Sequence, residues 1–109
     1  MTLALVARMR ADLTAAMKDR DEAAMRALRT ALAAIANAEA PPTDGRVTYV
    51  RGHSVDVPRL ELTEGDVVRI LRHEIDDRRD TVETISPHGK ELEIDELMAE
   101  IVVLERYVD

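Results

Sequence analysis

Residues 21–39 read DEAAMRALRTALAAIANAE, and this stretch decides the fold. Its larger apolar residues, Met25, Leu28, Leu32 and Ile35, recur at spacings of three, four and three. That period puts them on one side of an α-helix and excludes a strand, whose side chains alternate. Ala24, Ala27, Ala31, Ala34 and Ala38 run beside them. Their methyl groups leave shallow grooves that let a neighbouring helix come close. The helix is predicted to end near Ala38, because Pro41-Pro42 cannot continue it.

Upstream, Val6, Met9, Leu13, Ala16 and Met17 repeat the helical spacing and predict a helix over about residues 3–18. Asp19-Arg20-Asp21-Glu22 follows, so either Asp19 or Asp21 caps the second helix. A link this short makes the two helices antiparallel neighbours. Downstream, residues 39–62 form a long connection. Val47-Thr48-Tyr49-Val50 and Val55-Asp56-Val57 have β-type composition around Arg51-Gly52-His53-Ser54, which leaves room for a short β-hairpin. Thr63 with Asp66 three residues on is a capping-box pattern that starts a third helix. Its stripe is Val68, Leu71, Ile75, Val82 and Ile85, interrupted by Arg78. Pro87 ends it within the turn Ser86-Pro87-His88-Gly89-Lys90. Ile94, Leu97, Ile101, Leu104 and Val108 then mark a fourth helix. The predicted fold is all-α, a four-helix bundle-like domain of two helical hairpins, with residues 1–109 as one domain.

The composition agrees with packed helices. The core residues are Ala, Leu, Val, Ile and Met, with no Phe or Trp and with Tyr49 and Tyr107 as the aromatics. There is no cysteine, which excludes a disulfide framework, a thiolate zinc site and a Cys nucleophile. Arg8, Arg10 and Asp12 break the apolar start, so it lacks the core of a signal peptide, and no apolar run reaches the length of a membrane span. The expected location is cytoplasmic, with no membrane partner. A net charge of −7 argues against strong general binding to nucleic acid. The charge is uneven: Arg8, Arg10, Lys18, Arg20, Arg26 and Arg29 lie in residues 1–40. Glu91, Glu93, Asp95, Glu96, Glu100, Glu105 and Asp109 lie in residues 91–109, against Arg106 alone.

Little of the chain has the pattern of a catalytic constellation. Ser54 and Ser86 are far apart and lack a Lys partner at useful spacing. Gly45, Gly52, Gly65 and Gly89 are scattered, so they form no phosphate cradle. His73 and Asp77 are four apart, but a metal site needs three or four ligands. The polar residues that stand out are Arg29, Asn37, Glu39, Glu74, Arg78 and Arg79. Glu74 and Arg78 have the favourable i,i+4 order, and an arginine on an apolar stripe needs a partner if buried. Glu74 and Glu39 are the expected partners of Arg78. This cluster is read either as a salt-bridge network between helices or as a pocket for an anionic ligand or a partner.

Several blocks, in order, resemble one family. Leu13–Asp21 (LTAAMKDRD) and Leu28–Glu39 (LRTALAAIANAE) are similar to the first helical hairpin of the GatB/YqeY family. Leu62–Val68 (LTEGDVV) with Glu74–Asp80 (EIDDRRD) resembles its third helix, and Ala99–Tyr107 (AEIVVLERY) its E-x-x-VLE-x-Y segment. The Val47–Pro58 segment matches nothing in the family. Full-length members continue beyond this tyrosine into a small helical tail domain, shared with the amidotransferase subunit GatB, where it touches tRNA. Here the sequence stops at Asp109, so that tail is expected to be missing. The resemblance implies an association with carbon–nitrogen ligation using glutamine as amido donor. The residues point to a protein-binding or assembly module without catalysis of its own, with no cofactor and no metal. A protein partner or a second copy is the expected ligand. The alternative is an accessory factor in tRNA-dependent amidotransferase or translation chemistry, with weak tRNA contact.

Overall fold

The computed structural model describes residues 3–40, 49–50, 53–54 and 60–109. Helix α1 spans Ala4–Asp19 and α2 spans Glu22–Glu39. Between them Arg20 takes a left-handed conformation (φ 56°), which reverses the chain at once. Asp21 rather than Asp19 is the cap of α2, its carboxylate accepting from the Ala24 N–H at 3.2 Å. The reversal lays α1 against α2.

The connection that follows is pinned at its ends, where the Leu60 N–H donates to the Glu39 carbonyl at 2.8 Å. Within it, Tyr49–Val50 (β1) pairs antiparallel with His53–Ser54 (β2). The ladder is therefore tighter than the composition suggests, because His53 and Ser54 belong to the strand and not to the turn. The expected strand residues at 47–48 and 55–57 lie outside the described residues.

Helix α3 spans Glu64–Ile85 and begins with the capping box. Thr63 accepts from the Asp66 N–H at 3.1 Å, and Asp66 accepts from the Thr63 N–H at 2.9 Å. These bonds, with Arg69 beside it, hold the Asp66 carboxyl below the usual range. A single 3₁₀ turn, Ser86–His88, follows. Gly89 then adopts φ 70°, a conformation that glycine takes without steric cost, and helix α4 spans Glu91–Glu105.

Helix α2 is central. It packs on α1 on one side and on α4 on another, with α3 held mainly by α4. Ala24, Ala27, Leu28, Ala31 and Ile35 form its buried face. Met9, Val67, Leu71, Ile101 and Leu104 fill the space around that face. Met17 departs from the expected core stripe and is 51% exposed. Ala16 is the buried residue at this end of α1, and Met17 lies one helical step further round. Val67, at the start of α3, is buried more deeply than Val68. Among the described residues no helix is long and apolar enough to cross a membrane.

Candidate functional site

Among the described residues, Arg78 and Glu100 are the buried charged ones. Each occupies a position on its helix where an apolar side chain would continue the stripe. The Arg78 Nε donates to Glu100 Oε1 at 3.1 Å. Its Nη1 donates to the Glu74 carbonyl at 3.0 Å and lies 3.5 Å from Glu74 Oε1. The other Glu100 oxygen, Oε2, accepts from Arg26 Nε at 3.2 Å. Arg26 is also within 3.8 Å of Glu22, at the edge of the network. One carboxylate on α4 thus ties a guanidinium on α2 to a guanidinium on α3. No buried side-chain nitrogen or oxygen among the described residues lacks a hydrogen-bond partner.

This arrangement is electrostatically closed. Both carboxylate oxygens of Glu100 are occupied, and each arginine is shared with a second acid. The network contains no nucleophile, and its charges already answer one another.

The six singled-out residues do not assemble into one site. Glu74 and Arg78 meet, joined by Arg26 and Glu100. Arg79 points elsewhere and pairs with Glu105 at 3.5 Å. Arg29 and Asn37 are exposed on α2, and Glu39 is half-buried at that helix's end. Sequence reasoning missed Arg26 and Glu100. The signal for Glu100 was available: it lies between Leu97 and Leu104 on the apolar side of its helix, an acid interrupting one stripe as Arg78 interrupts another. Arg26 carried only the weaker signal of its i,i+4 relation to Glu22.

A second polar cluster fastens α1 to the turn after α4. The buried Tyr107 hydroxyl donates to Asp12 Oδ2 at 2.5 Å. The Arg8 guanidinium lies 4.7 Å above the tyrosine ring and donates to the Arg106 carbonyl at 2.9 Å. Burial, and then the Asp12 hydrogen bond and charge, push the phenol ionisation well above its ordinary value. Arg72, Asp76 and Arg79 of α3 face Glu105 and Val108 across a shallow groove of about 280 Å³. Small-molecule sites usually start at about 300 Å³ and are mostly apolar, which this groove is not.

His73 is exposed, with Nε2 3.3 Å from the Asp77 carboxylate. No group of three potential metal ligands occurs among the described residues.

On the side of α4 turned away from the core, large apolar side chains remain in solvent. Leu92 is 80% exposed, Met98 46% and Val102 53%. The rest of the helix supplies Glu91, Glu93, Asp95, Glu96, Glu100 and Glu105, with no lysine or arginine.

No curated protein compared with the chain matches it. A family model described as Yqey-like protein matches residues 6–109, nearly the whole sequence. The ordered blocks that resemble this family fall on α1–α2, α3 and α4, the elements that build the core, and the chain belongs to the YqeY-like protein family.

Proposed function

We propose that this domain is a protein-binding or assembly module that performs no chemistry of its own. The observation that carries the reading is the exposure of Leu92, Met98 and Val102 on the outer side of α4. Apolar side chains grouped on one surface mark an interaction site more often than scattered ones do. The inward-facing charges support the reading from the other direction, since Arg26, Glu74, Arg78 and Glu100 are spent on holding three helices together. Arg29, Asn37, Glu39 and Arg79 are read as surface and edge residues of the same scaffold. The setting is the cytoplasm, in keeping with a sequence free of cysteine.

The test is affinity capture from native lysate at physiological ionic strength, with bound protein and bound RNA both identified, beside light scattering of the purified chain. A reproducible protein partner, or a stable oligomer, supports the reading. Recovery of tRNA with submicromolar affinity and no protein would overturn it in favour of an accessory role in tRNA chemistry.

A further inference from the structure

We propose that the outer face of α4 is a docking surface for a cationic amphipathic helix of another protein. The proposal rests on the binding-module reading and names the partner's chemistry. At 100° per residue, Asp95, Met98, Ala99 and Val102 share the side opposite Leu104 and Glu100, with Leu92 at its edge. Met98 and Val102 form an i,i+4 ridge, and the small Ala99 beside them leaves room for an incoming side chain. This is how one helix offers a surface to another. Large apolar side chains on a helix are ordinarily covered, yet among the described residues Met98, Val102 and Leu92 on the outer side of α4 are not.

Charge selects the occupant. Helix α4 carries only acidic charge, and Glu91 and Asp95 flank the exposed apolar residues directly. Two copies meeting through this face would bring together two helices with six acids each, offset on this side by one flanking arginine apiece, Arg106, in chains of net charge −7, so self-association is opposed. The phosphates of nucleic acid and of an anionic membrane surface are repelled for the same reason. A helix with an apolar ridge edged by lysine or arginine satisfies both features. It buries Met98 and Val102, and its cations meet Glu91 and Asp95 on the same side, in the turns before that ridge.

The experiment uses a fluorescein-labelled leucine–lysine peptide of about 18 residues, with leucines at i, i+3, i+4 and i+7, long enough to form a helix on contact. Two controls have the same leucines scrambled off the helical period, or glutamate in place of lysine. Anisotropy should show saturable binding of the helical cationic peptide alone, weakened by added salt. The triple substitution Leu92→Ser, Met98→Ser, Val102→Ser should weaken it by about tenfold or more. Met17→Ser, which alters an exposed methionine on α1, should leave it unchanged. Equal binding of the scrambled or acidic peptide overturns the proposal, as does a triple variant that binds like the parent. A parent dimer that the triple variant converts to monomer also overturns it, because a second copy then occupies the face. Lysate capture separates the two readings. Partners retained by the triple variant overturn this face while the binding-module reading stands, and partners lost together with the peptide support it.

Discussion

At the level of single residues, Glu100 sets the cost of disturbing the core. Its carboxylate is buried and answered by Arg78 and Arg26 on different helices. Arg78→Ala leaves one carboxylate oxygen without its donor and is expected to cost about 3 kcal/mol, the usual penalty for breaking a buried pair. Arg78→Met alone would still strand part of Glu100. The triple substitution Glu74→Gln, Arg78→Met, Glu100→Leu removes the three inner charges together, while the half-exposed Arg26 keeps Glu22 and solvent. It is expected to fall within about 1 kcal/mol of the parent. Urea denaturation checks both; an unchanged midpoint for Arg78→Ala would mean that the network is idle. Tyr107 supplies a pH signature. An ordinary phenol ionises near pH 10, whereas that of Tyr107 ionises higher because burial and Asp12 favour its neutral form. The unfolded chain therefore loses this proton first. The stabilisation is whole below about pH 10 and falls as pH rises through the folded value. Tyr107→Phe should cost about 1 kcal/mol at neutral pH, for the lost bond to Asp12. Its melting temperature should also decline less steeply than the parent's above about pH 10. Parallel alkaline slopes for the two proteins would sink this account.

Among the elements, α2 is the one whose surface other helices press against. Ala27 and Ala31 are fully buried between neighbours, so the close approach depends on their having only a methyl group. Ala31→Leu is expected to destabilise by about 1–3 kcal/mol through overpacking. Ala33→Leu, on the exposed side of the same helix, should change little. A thermal melt of both variants decides this, and equal effects would argue against a tight interface. These alanines also show what the sequence makes legible. The spacing of Leu28 and Ile35, the Thr63–Asp66 capping box and the stop at Pro87 are local signals, and each predicted its element nearly to the residue. Arg78 was legible as an anomaly for the same reason, since it breaks a local period. Its partner was less so. Glu100 lies 22 residues away on another helix, and which acid meets Arg78 is fixed by how α3 and α4 are rotated against each other. Met17 was misplaced for a related reason: spacing defines a stripe's centre, whereas the neighbouring helix decides where its edge falls.

For the molecule as a whole, the distribution of burial predicts an order of opening. Its extents are 55 × 30 × 26 Å, and its radius of gyration is 17.0 Å. A compact chain of this length would have a radius near 13 Å. The elongation has a source in the helices: the fully buried side chains Met9, Leu28, Ile35, Val67, Leu71, Ile101 and Leu104 come from α1, α2, the first half of α3 and the last third of α4. Towards the turn at Ser86–His88 the same two helices offer only the half-buried Val82, Ile85, Ile94 and Leu97. The Arg78–Glu100 bridge lies between the two zones, so it is the last strong tie before the hairpin leaves the shared core. Amides with few buried neighbours exchange through local openings, whereas core amides wait for global unfolding. Native-state hydrogen exchange should therefore show residues 71–78 and 101–104 exchanging at the global free energy. Residues 82–97 should exchange at least about tenfold faster, through fraying of the hairpin end. Glu74→Gln, Arg78→Met, Glu100→Leu replaces the bridge without stranding a charge and should leave this gradient in place. Arg78→Ala should move the fraying inward, so that the amides of residues 75–78 join the fast set. Uniform protection along α3 and α4 in the parent protein would show that the hairpin opens only with the whole domain, and the two-zone description would fail.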